Sequence, residues 1–397
     1  MSIDFQELLS RGVENIYPSR EELERVLASG KKLRIYGGFD PTGKLHLGHS
    51  ALLSKLRQFQ DLGHDIIVLI GDFTAQIGDP TDKLAARKKL TKEEIKENSK
   101  NYKKLMGKIL DTKRSNLRFL HNQHWTNKLS PSDMLEIASY FTVSQLIERD
   151  MFQERIKNGK QIYLHEFLYP VFQAYDAVSM DVDMQIGGND QTFNMLAGRT
   201  FMRKIKNKEK FVIATKLLTD SSGKKMGKTE GNTVNLDEKP GEMFGKIMSW
   251  PDGFILPAFE LCTNTSMDKI KELRKFLEIK ESNPRDVKLQ LAQEIVKIYH
   301  GDTKALEAKN AFISQFSKGA LPDDIPLKLV DIETGMASKF LFLSGLCSSI
   351  SAARRLIEQG GVDVDGVRLV KDINIEIGIE PKLLRVGRKY CKIKGKK

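Results

Sequence analysis

Short apolar runs alternate with amphipathic stretches through the first half of the chain, a pattern typical of α/β proteins. Residues 32–36 and 64–70 have the composition of strands, and between them an amphipathic pattern begins near His46 and stops at Gly63. Parallel strands joined by a helix form a right-handed βαβ unit. Further strand-like runs lie at 116–120, 183–186 and 210–218. The pattern predicts a Rossmann-like parallel sheet.

Beyond Pro240 the strand-like runs largely cease and the pattern becomes helical. Helices are expected at 241–249, 266–278, 284–299 and 302–317. The segment GALPDDIP at 319–326 has the composition of a linker. Two more helices are expected near 335–345 and 351–359, followed by a tight hairpin at the Asp365-Gly366 pair.

These boundaries predict an α/β fold class with three domains. The expected order is a Rossmann-like catalytic domain at 1–235, an α-helical domain at 236–318, a linker at 319–330 and a small α+β domain at 331–397. Within the first domain, residues 121–162 contain short helical patterns with apolar residues. A contact between subunits and a buried strut within one subunit are both open interpretations of that region.

Composition and charge indicate a globular protein with a polyanionic partner. The chain has 397 residues, of which 40% are hydrophobic and 29% are charged, so it can bury a large core. The formal net charge is +12, and residues 382–397 hold eight basic side chains and no acidic one. Such a local excess favours a nucleic acid as partner, although a solubilising tail is the alternative.

The cysteines argue against a metal or disulfide framework. Cys262, Cys347 and Cys391 lie far apart and form no CxxC pair. The first residues contain no continuous apolar segment like that of a signal peptide, and no apolar run is long enough for a bilayer span. We therefore expect a cytoplasmic protein without a protein-bound metal.

The stretch YGGFDPTGKLHLGH provides the first candidate chemistry. Gly37 and Gly38 are expected to form the turn after a strand, and His46 and His49 stand at the start of a helix, near Thr42. Backbone N–H groups at a helix N-terminus attract anions, and hydroxyl and imidazole groups add donors. The combination suits a polyphosphate.

Two further basic segments are candidates for the same anion. Lys83 and Arg87 lie four residues apart after the second strand, and Lys225 and Lys228 lie in the polar loop SSGKKMGKTEGN. Solvated surface is the alternative interpretation of both.

A polar stripe in an apolar helix predicts a ligand pocket. Tyr169, Gln173 and Asp176 occupy positions i, i+4 and i+7 of a segment otherwise rich in apolar residues, and such a stripe is costly unless it has partners. A bound polar ligand and internal hydrogen bonds are both open interpretations. Pro170 predicts that the helix begins near it or is kinked there. The sequence GGNDQTFN then repeats the glycine-turn-helix design, with Asp190 able to accept from a ribose hydroxyl.

Taken in order, YGGFDPTGKLHLGH, GDP at 78–80, LYPVFQAYD, QIGGNDQTFN and KKMGKT resemble the motifs of bacterial-type tyrosyl-tRNA synthetases, which are class I aminoacyl-tRNA synthetases. The resemblance covers essentially the whole chain, and residues 331–397 resemble an S4-like RNA-binding domain. KMGKT departs from the family's KMSKS at Gly227 and Thr229, but both lysines are kept. The resemblance implies tyrosine activation by ATP with Mg²⁺, transfer to tRNA and a homodimer formed through residues 121–162.

The resemblance also implies roles for particular residues. The phosphates would be met by the catalytic set Thr42, His46, His49, Lys83, Arg87, Lys225, Lys228 and Thr229. ATP would further contact Gly38, Asp40, Gly48, Gly188, Asp190 and Lys228. Tyrosine would be bound by Tyr36, Asp79, Tyr169, Gln173, Asp176 and Gln191. RNA would be bound by Arg354, Arg355, Arg385, Arg388 and Lys389.

Three alternatives remain at this stage. A tryptophanyl-tRNA synthetase shares the fold and chemistry, but Tyr36 with Asp176 favours a substrate that carries a hydroxyl. A catalytically inactive RNA-binding protein could keep the synthetase fold, although the retained histidines and lysines argue against it. A small-molecule nucleotidyltransferase would leave the two C-terminal domains unexplained.

Overall fold

The structure is a computed structural model. It describes residues 5–79, 90–219, 233–279, 283–317, 325–331, 334–378, 380–387 and 389–395. The chain forms two compact units, Met1–Asn310 and Ala311–Lys397. None of the helices in these ranges has both the length and the apolar character needed to cross a bilayer.

A six-stranded sheet forms the centre of the first unit. Its strands are β1 Val13–Tyr17, β2 Arg34–Phe39, β3 Asp65–Ile70, β4 Leu117–His121, β5 Met184–Gly188 and β6 Phe211–Thr215. They are ordered β1-β6-β5-β2-β3-β4, and every neighbouring pair is parallel except β1 with β6. The predicted parallel sheet is confirmed. Strand β1, which the apolar pattern does not single out, lies at the edge, where only one neighbour pairs with it.

Twelve α-helices accompany the sheet in the described part of residues 5–219. They are α1 Phe5–Leu8, α2 Arg20–Ala28, α3 Ser50–Asp61, α4 Thr74–Ile77, α5 Lys92–Ser99, α6 Tyr102–Met106, α7 Gln123–Thr126, α8 Pro131–Ser139, α9 Val143–Ile147, α10 Asp150–Lys157, α11 Leu164–Ser179 and α12 Thr192–Lys206. Of the two alternatives for Pro170, the one in which α11 begins near it is wrong, whereas a kink at this residue stays a prediction. The helix begins at Leu164, and Pro170 lies inside it.

The glycine pair of YGGF lies inside a strand, so the predicted turn at this point is also wrong. Gly37 and Gly38 are part of β2 and pair with Val68 and Leu69 of β3. A Cβ atom on Gly37 would lie 2.9 Å from Leu56 Cδ1 of α3. Glycine is therefore needed here because the helix packs against the strand, and the backbone turns only after Phe39.

Five helices, here called the helical region, follow the sheet, and the last of them continues past Asn310, the end of the first unit. They are α13 Pro240–Met248, α14 Ile255–Cys262, α15 Met267–Glu278, α16 Pro284–His300 and α17 Asp302–Ser317. Four of them were predicted, and α14 was not. Arg11 joins the N-terminal segment to this region by donating to the carbonyls of Phe259, Glu260, Thr263 and Thr265, at and beyond the C-terminal end of α14.

The second unit is an α+β domain with its own core. Its elements are β7 Leu327–Val330, β8 Thr334–Met336, α18 Ala337–Leu343, α19 Ile350–Glu358, β9 Val362–Val364, β10 Val367–Leu369, β11 Asn374–Glu376, β12 Lys382–Val386 and β13 Lys389–Gly395. Its five-stranded sheet has the order β10-β9-β12-β13-β7, and β11 pairs with β8. The hairpin at Asp365-Gly366 is confirmed.

Two expectations for this part of the chain need correction. The basic C-terminal segment is not a tail, because β12 and β13 pair as an antiparallel hairpin and bury Leu384, Cys391 and Ile393. The segment 319–330 is not all linker, since Leu327–Val330 is a strand parallel to β13.

Candidate active site

A cavity of about 590 Å³ opens at the carboxyl ends of β2, β3, β5 and β6. The chain runs from β2 outward to β4 and then returns to the other side of β2 with β5, and open α/β sheets bind ligands at such a switch point. The predicted residues that line the cavity are Tyr36, Gly38, Asp40, Thr42, His46, Gly48, His49, Asp79, Tyr169, Gln173, Asp176, Gly188, Asp190 and Gln191. The predicted Lys83, Arg87, Lys225, Lys228 and Thr229 lie outside the described residues.

The two histidines form a reciprocal cap at the start of α3. The Gly48 N–H donates to His46 Nδ1 and the His46 N–H donates to His49 Nδ1, both at 3.1 Å. With Nδ1 accepting, a neutral imidazole carries its proton on Nε2, which can donate to a ligand. A Cβ atom on Gly48 would lie 2.8 Å from the His46 ring. The absence of a side chain at Gly48 therefore leaves space for the His46 ring.

The helical region supports this turn from behind. The hydroxyl of Ser50, the first residue of α3, lies 2.8 Å from that of Tyr299 in α16. The Cys262 thiol of α14 donates to the Leu47 carbonyl across 3.7 Å. Both contacts are buried, so α14 and α16 fix the backbone that carries the two histidines.

Tyr36 and Asp176 form one end of the cavity, and both are buried. The Asp176 carboxyl accepts from Trp125 Nε1 at 2.7 Å and from Asn122 Nδ2 at 3.2 Å. Burial nevertheless raises the pKa of Asp176 to about 8. Burial, together with the Asp176 charge, also raises the pKa of Tyr36 well above its usual value. The Tyr36 hydroxyl has no hydrogen-bond partner among the described residues.

A second acidic group lies in the same cavity. Asp79 accepts from Arg149 Nη2 at 2.9 Å and from Gln191 Nε2 at 2.5 Å. The guanidinium of Arg149 is buried, with its centre 5.6 Å from the ring centroids of both Phe152 and Phe193. Asp79 is therefore held in one position by a desolvated ion pair.

A third carboxylate, that of Asp40, lies between two hydroxyl donors. Tyr169 donates to it at 2.8 Å and Thr74 at 2.7 Å. Burial, together with the Asp40 and Asp79 charges, raises the pKa of Tyr169 well above its usual value. The Gln173 side-chain carbonyl oxygen is buried and has no partner among the described residues. The predicted polar stripe thus has internal hydrogen bonds at Tyr169 and Asp176, and an unsatisfied acceptor at Gln173.

Sequence reasoning missed the residues that hold these carboxylates. Asn122 and Trp125, which position Asp176, and Arg149, which positions Asp79, all come from the region 121–162. Only weak indications of these residues are present in the sequence. Arg149 lies beside an apolar helical pattern, and Trp125, one of the two tryptophans of the chain, comes shortly after a strand.

The cavity therefore combines two kinds of recognition. One end offers a buried phenol and a buried carboxyl, which suits a ligand hydroxyl inside an apolar surround. The other end offers a histidine turn and glycine-bearing strand ends, which suit phosphates and a ribose. The carboxylates of Asp79 and Asp40 line the same cavity and suit an ammonium group.

The predicted RNA-binding residues are exposed where the structure describes them. Arg354 donates to Asp372 at 3.1 Å, and Arg355 follows it on α19. Arg385 lies on β12, with its guanidinium 5.6 Å from the Tyr390 ring, and Lys389 opens β13. Arg388 lies outside the described residues.

Comparison with known proteins agrees with this combination of sheet, switch-point cavity and histidine turn. Residues 28–317 match the family model for class I tRNA synthetases (W and Y), and residues 338–371 match that for the S4 domain. The chain therefore has the class I aminoacyl-tRNA synthetase fold with a C-terminal S4 domain.

Sequence relatives narrow the class of protein further. The chain is 43% identical over 400 residues to the tyrosine–tRNA ligase of Carboxydothermus hydrogenoformans, covering 98% of this chain and 97% of that one. It is 41% identical over 394 residues to that of Thermotoga maritima, covering 98% and 96%. The chain belongs to the tyrosine–tRNA ligase family.

Solved structures give the same fold. A C-terminally truncated mitochondrial tyrosyl-tRNA synthetase of Aspergillus nidulans matches with a TM-score of 0.64 at 25% identity, over 79% of this chain and 94% of that one. The tyrosyl-tRNA synthetase of Archaeoglobus fulgidus, complexed with L-tyrosine, matches with a TM-score of 0.60 at 22% identity, over 77% and 99%.

Proposed function

We propose that this protein joins L-tyrosine to ATP, forming tyrosyl-adenylate and pyrophosphate, and then transfers the tyrosyl group to the 3′-terminal ribose of tRNA(Tyr). The observation that carries the proposal is the pair Tyr36 and Asp176. The Tyr36 hydroxyl is buried beside a buried carboxyl and finds no partner in the part of the chain that the structure describes. This is costly, and a ligand phenol that enters this end of the cavity satisfies both groups. Indole has no hydroxyl to do so, which argues against tryptophan.

In the first step the tyrosine carboxylate attacks the α-phosphorus and pyrophosphate leaves. Displacement at phosphorus needs alignment of the reactants and stabilisation of charge on the phosphate oxygens. The Nε2–H groups of His46 and His49 and the Thr42 hydroxyl donate to those oxygens. Asp190 accepts from the ribose hydroxyls, and Gln191 lies beside the reacting carboxylate.

The opposite end of the amino acid needs an anionic site for its ammonium group. Asp79 and the hydroxyl of Tyr169, which line the cavity, are proposed to accept from this group, and the Gln173 carbonyl oxygen supplies a further acceptor. The ammonium then replaces Gln191 as a partner of Asp79, which leaves Gln191 available to the carboxylate. In the second step a ribose hydroxyl of the tRNA attacks the carbonyl carbon of the adenylate, and AMP leaves.

ATP requires a counter-ion, and we propose that Mg²⁺ arrives with it. Within the described residues no three His, Cys, Asp or Glu side chains come together as a metal site. The phosphate oxygens of ATP are therefore the main ligands of the ion in this proposal. Lys83, Arg87, Lys225, Lys228 and Thr229 are proposed as further contacts of the departing pyrophosphate.

We also propose that the enzyme is a homodimer. Five large apolar side chains are strongly exposed between residues 135 and 164: Leu135 at 75%, Val143 at 71%, Ile156 at 48%, Tyr163 at 49% and Leu164 at 80%. So many exposed large apolar side chains within 30 residues of one another in sequence are unusual for a monomer. Light scattering should give twice the mass of one chain, and the double substitution Val143→Asp with Leu164→Asp should halve it. A monomeric parent would refute this part of the proposal.

For the second unit we propose tRNA binding through Arg354, Arg355, Arg385, Arg388 and Lys389. The four described side chains of this set, Arg354, Arg355, Arg385 and Lys389, are exposed cations on one small domain, as phosphate contacts require. We place the enzyme in the cytoplasm, because its three cysteines are free thiols, as expected in a reducing compartment.

The test is amino-acid-dependent exchange between ATP and pyrophosphate, followed by transfer to tRNA. Purified protein should support exchange with tyrosine and not with tryptophan or phenylalanine. Exchange with tryptophan alone would assign the rival activity. Absence of exchange with every amino acid, by a folded protein that binds tRNA, would support the inactive RNA-binding alternative.

A further inference from the structure

Lys210 is a buried amine beneath the proposed tyrosine pocket. It immediately precedes β6 and is fully buried. Its Nζ donates to the side-chain oxygen of Gln185 and, across 3.1 Å, to the carbonyl of Met195. The same Nζ lies 5.7 Å from the centroid of the Tyr36 ring. One amine thus contacts a side chain that lines the cavity and the ring of the proposed phenol-binding residue.

Burial of the Lys210 amine is energetically unfavourable. The hydrogen-bond partners that the described residues supply are neutral oxygens, so burial is not compensated by an ion pair. Burial, together with the Arg199 charge, lowers the pKa of Lys210 to about 7. Gly198 of α12 leaves the necessary space, since a Cβ atom there would lie 2.8 Å from Nζ. If position 210 served packing alone, methionine or leucine would fill the same space with less loss of stability.

The position of Tyr36 explains what the amine can do. The Tyr36 hydroxyl has no partner among the described residues, so hydrogen bonding does not fix its orientation before a ligand arrives. The ring instead packs in an apolar cluster that includes Ala177 and Met180, and Lys210 Nζ lies 5.7 Å from its centroid. A cation within about 6 Å of a ring is attracted to it, and Gln185, fixed by the same amine, lies next to Tyr36 across the β2–β5 pair.

We propose that Lys210 is a positioning residue that sets the specificity for tyrosine over phenylalanine. It holds the Tyr36 ring and the Gln185 side chain so that the Tyr36 hydroxyl meets the substrate hydroxyl. The inference rests on the proposed function, because it takes Tyr36 as the residue that reads the phenol.

Two substitutions in the full chain test it by different routes. Lys210→Met keeps the length of the side chain and removes the amine. Gly198→Ala keeps the amine and displaces it, at a position where only the flexible end of a lysine must move and where alanine favours the helix. Both should lower the ratio of kcat/KM for tyrosine to that for phenylalanine about tenfold in the exchange assay, through the KM for tyrosine. The KM for ATP should not change.

Lys55→Met is the matched control. Lys55 is also buried, donates to the Leu8 carbonyl at 2.5 Å and has its pKa lowered to about 7 by burial, but Leu8, unlike Gln185, is not among the residues that line the cavity. Its loss should affect stability alone. In a Tyr36→Phe background, Lys210→Met should cause little further loss of specificity, because the two residues act through one contact.

The inference and the proposed function fail in different ways. No tyrosine-dependent exchange by the parent protein would refute the function. A parent that is active with tyrosine, together with an unchanged specificity ratio in Gly198→Ala or additive losses in the double variant, would refute the role of Lys210. A Lys210→Met protein that does not fold leaves the decision to Gly198→Ala.

Discussion

Replacing Tyr36 by phenylalanine should make the ligand-free protein more stable and the enzyme less active. The hydroxyl is buried and has no partner among the described residues. Leaving a buried donor unsatisfied costs about 1–3 kcal/mol, and the substitution removes that cost. The opposite sign holds once tyrosine is bound, because the variant has lost the group that meets the substrate phenol.

The expected shift in melting temperature is measurable. For a cooperative unit the size of Met1–Asn310, an unfolding entropy of about 2.1 cal/mol/K per residue converts about 1–3 kcal/mol into a rise of about 2–5 °C. The loss of one hydrogen bond to the substrate should raise the KM for tyrosine about tenfold, with little effect on the KM for ATP.

Tyr169→Phe is the matched control. The Tyr169 hydroxyl is equally buried but donates to Asp40 at 2.8 Å, so its removal breaks a bond to a carboxylate and should lower the melting temperature by a similar amount. Thermal melts without ligand, and again with saturating tyrosine, compare the two variants directly. The added tyrosine should stabilise the parent more than Tyr36→Phe.

A fall in melting temperature for Tyr36→Phe, equal to that of Tyr169→Phe, would refute the reasoning. It would mean that the Tyr36 hydroxyl is already hydrogen-bonded without a substrate. An unchanged KM for tyrosine would separately contradict the role of this hydroxyl in recognition.

The remaining predictions concern a buried ion pair and a buried histidine. Arg149→Met should destabilise the protein by about 3–5 kcal/mol in denaturant unfolding, because Asp79 would remain buried without its partner. The same substitution should raise the KM for tyrosine but not the KM for ATP. A loss confined to ATP binding would contradict this prediction. Burial, together with the Lys32 charge, lowers the pKa of His64 to about 4, and its Nδ1 accepts from the Leu33 N–H at 3.1 Å. Between about pH 6.5 and pH 4 the unfolded chain binds a proton at His64 that the native state does not bind. The free energy of unfolding should therefore fall by up to about 3 kcal/mol as the pH decreases through this range. His64→Gln should remove this part of the pH dependence.

The parallel sheet was predictable because its strands are continuous apolar runs joined by amphipathic helices. The DIIVLI run of β3 is buried from Ile66 to Ile70, and no polar-out alternation is needed in a strand covered on both faces. Strand β1 was not predictable in this way. Its sequence VENIY is half exposed, and only the pairing with β6, distant in sequence, makes it a strand.

The site was predictable where the chemistry is local and not where it depends on distant contacts. His46, Gly48 and His49 belong to one turn, and their reciprocal hydrogen bonds follow from their spacing. The partners of Asp176 and Asp79 lie 51 to 112 residues away in sequence, so periodicity carries no information about them. Gly37 was misread for the same reason, because its need for space comes from Leu56 in another element.

The contacts of Ser50 with Tyr299 and of Cys262 with the Leu47 carbonyl have an evolutionary corollary. A hybrid enzyme that took its helices 255–300 from one relative and its nucleotide-binding turn from another would lose these bonds unless both sides matched. Substitutions in either segment are thus constrained by the other, and we expect the two segments to change together during evolution.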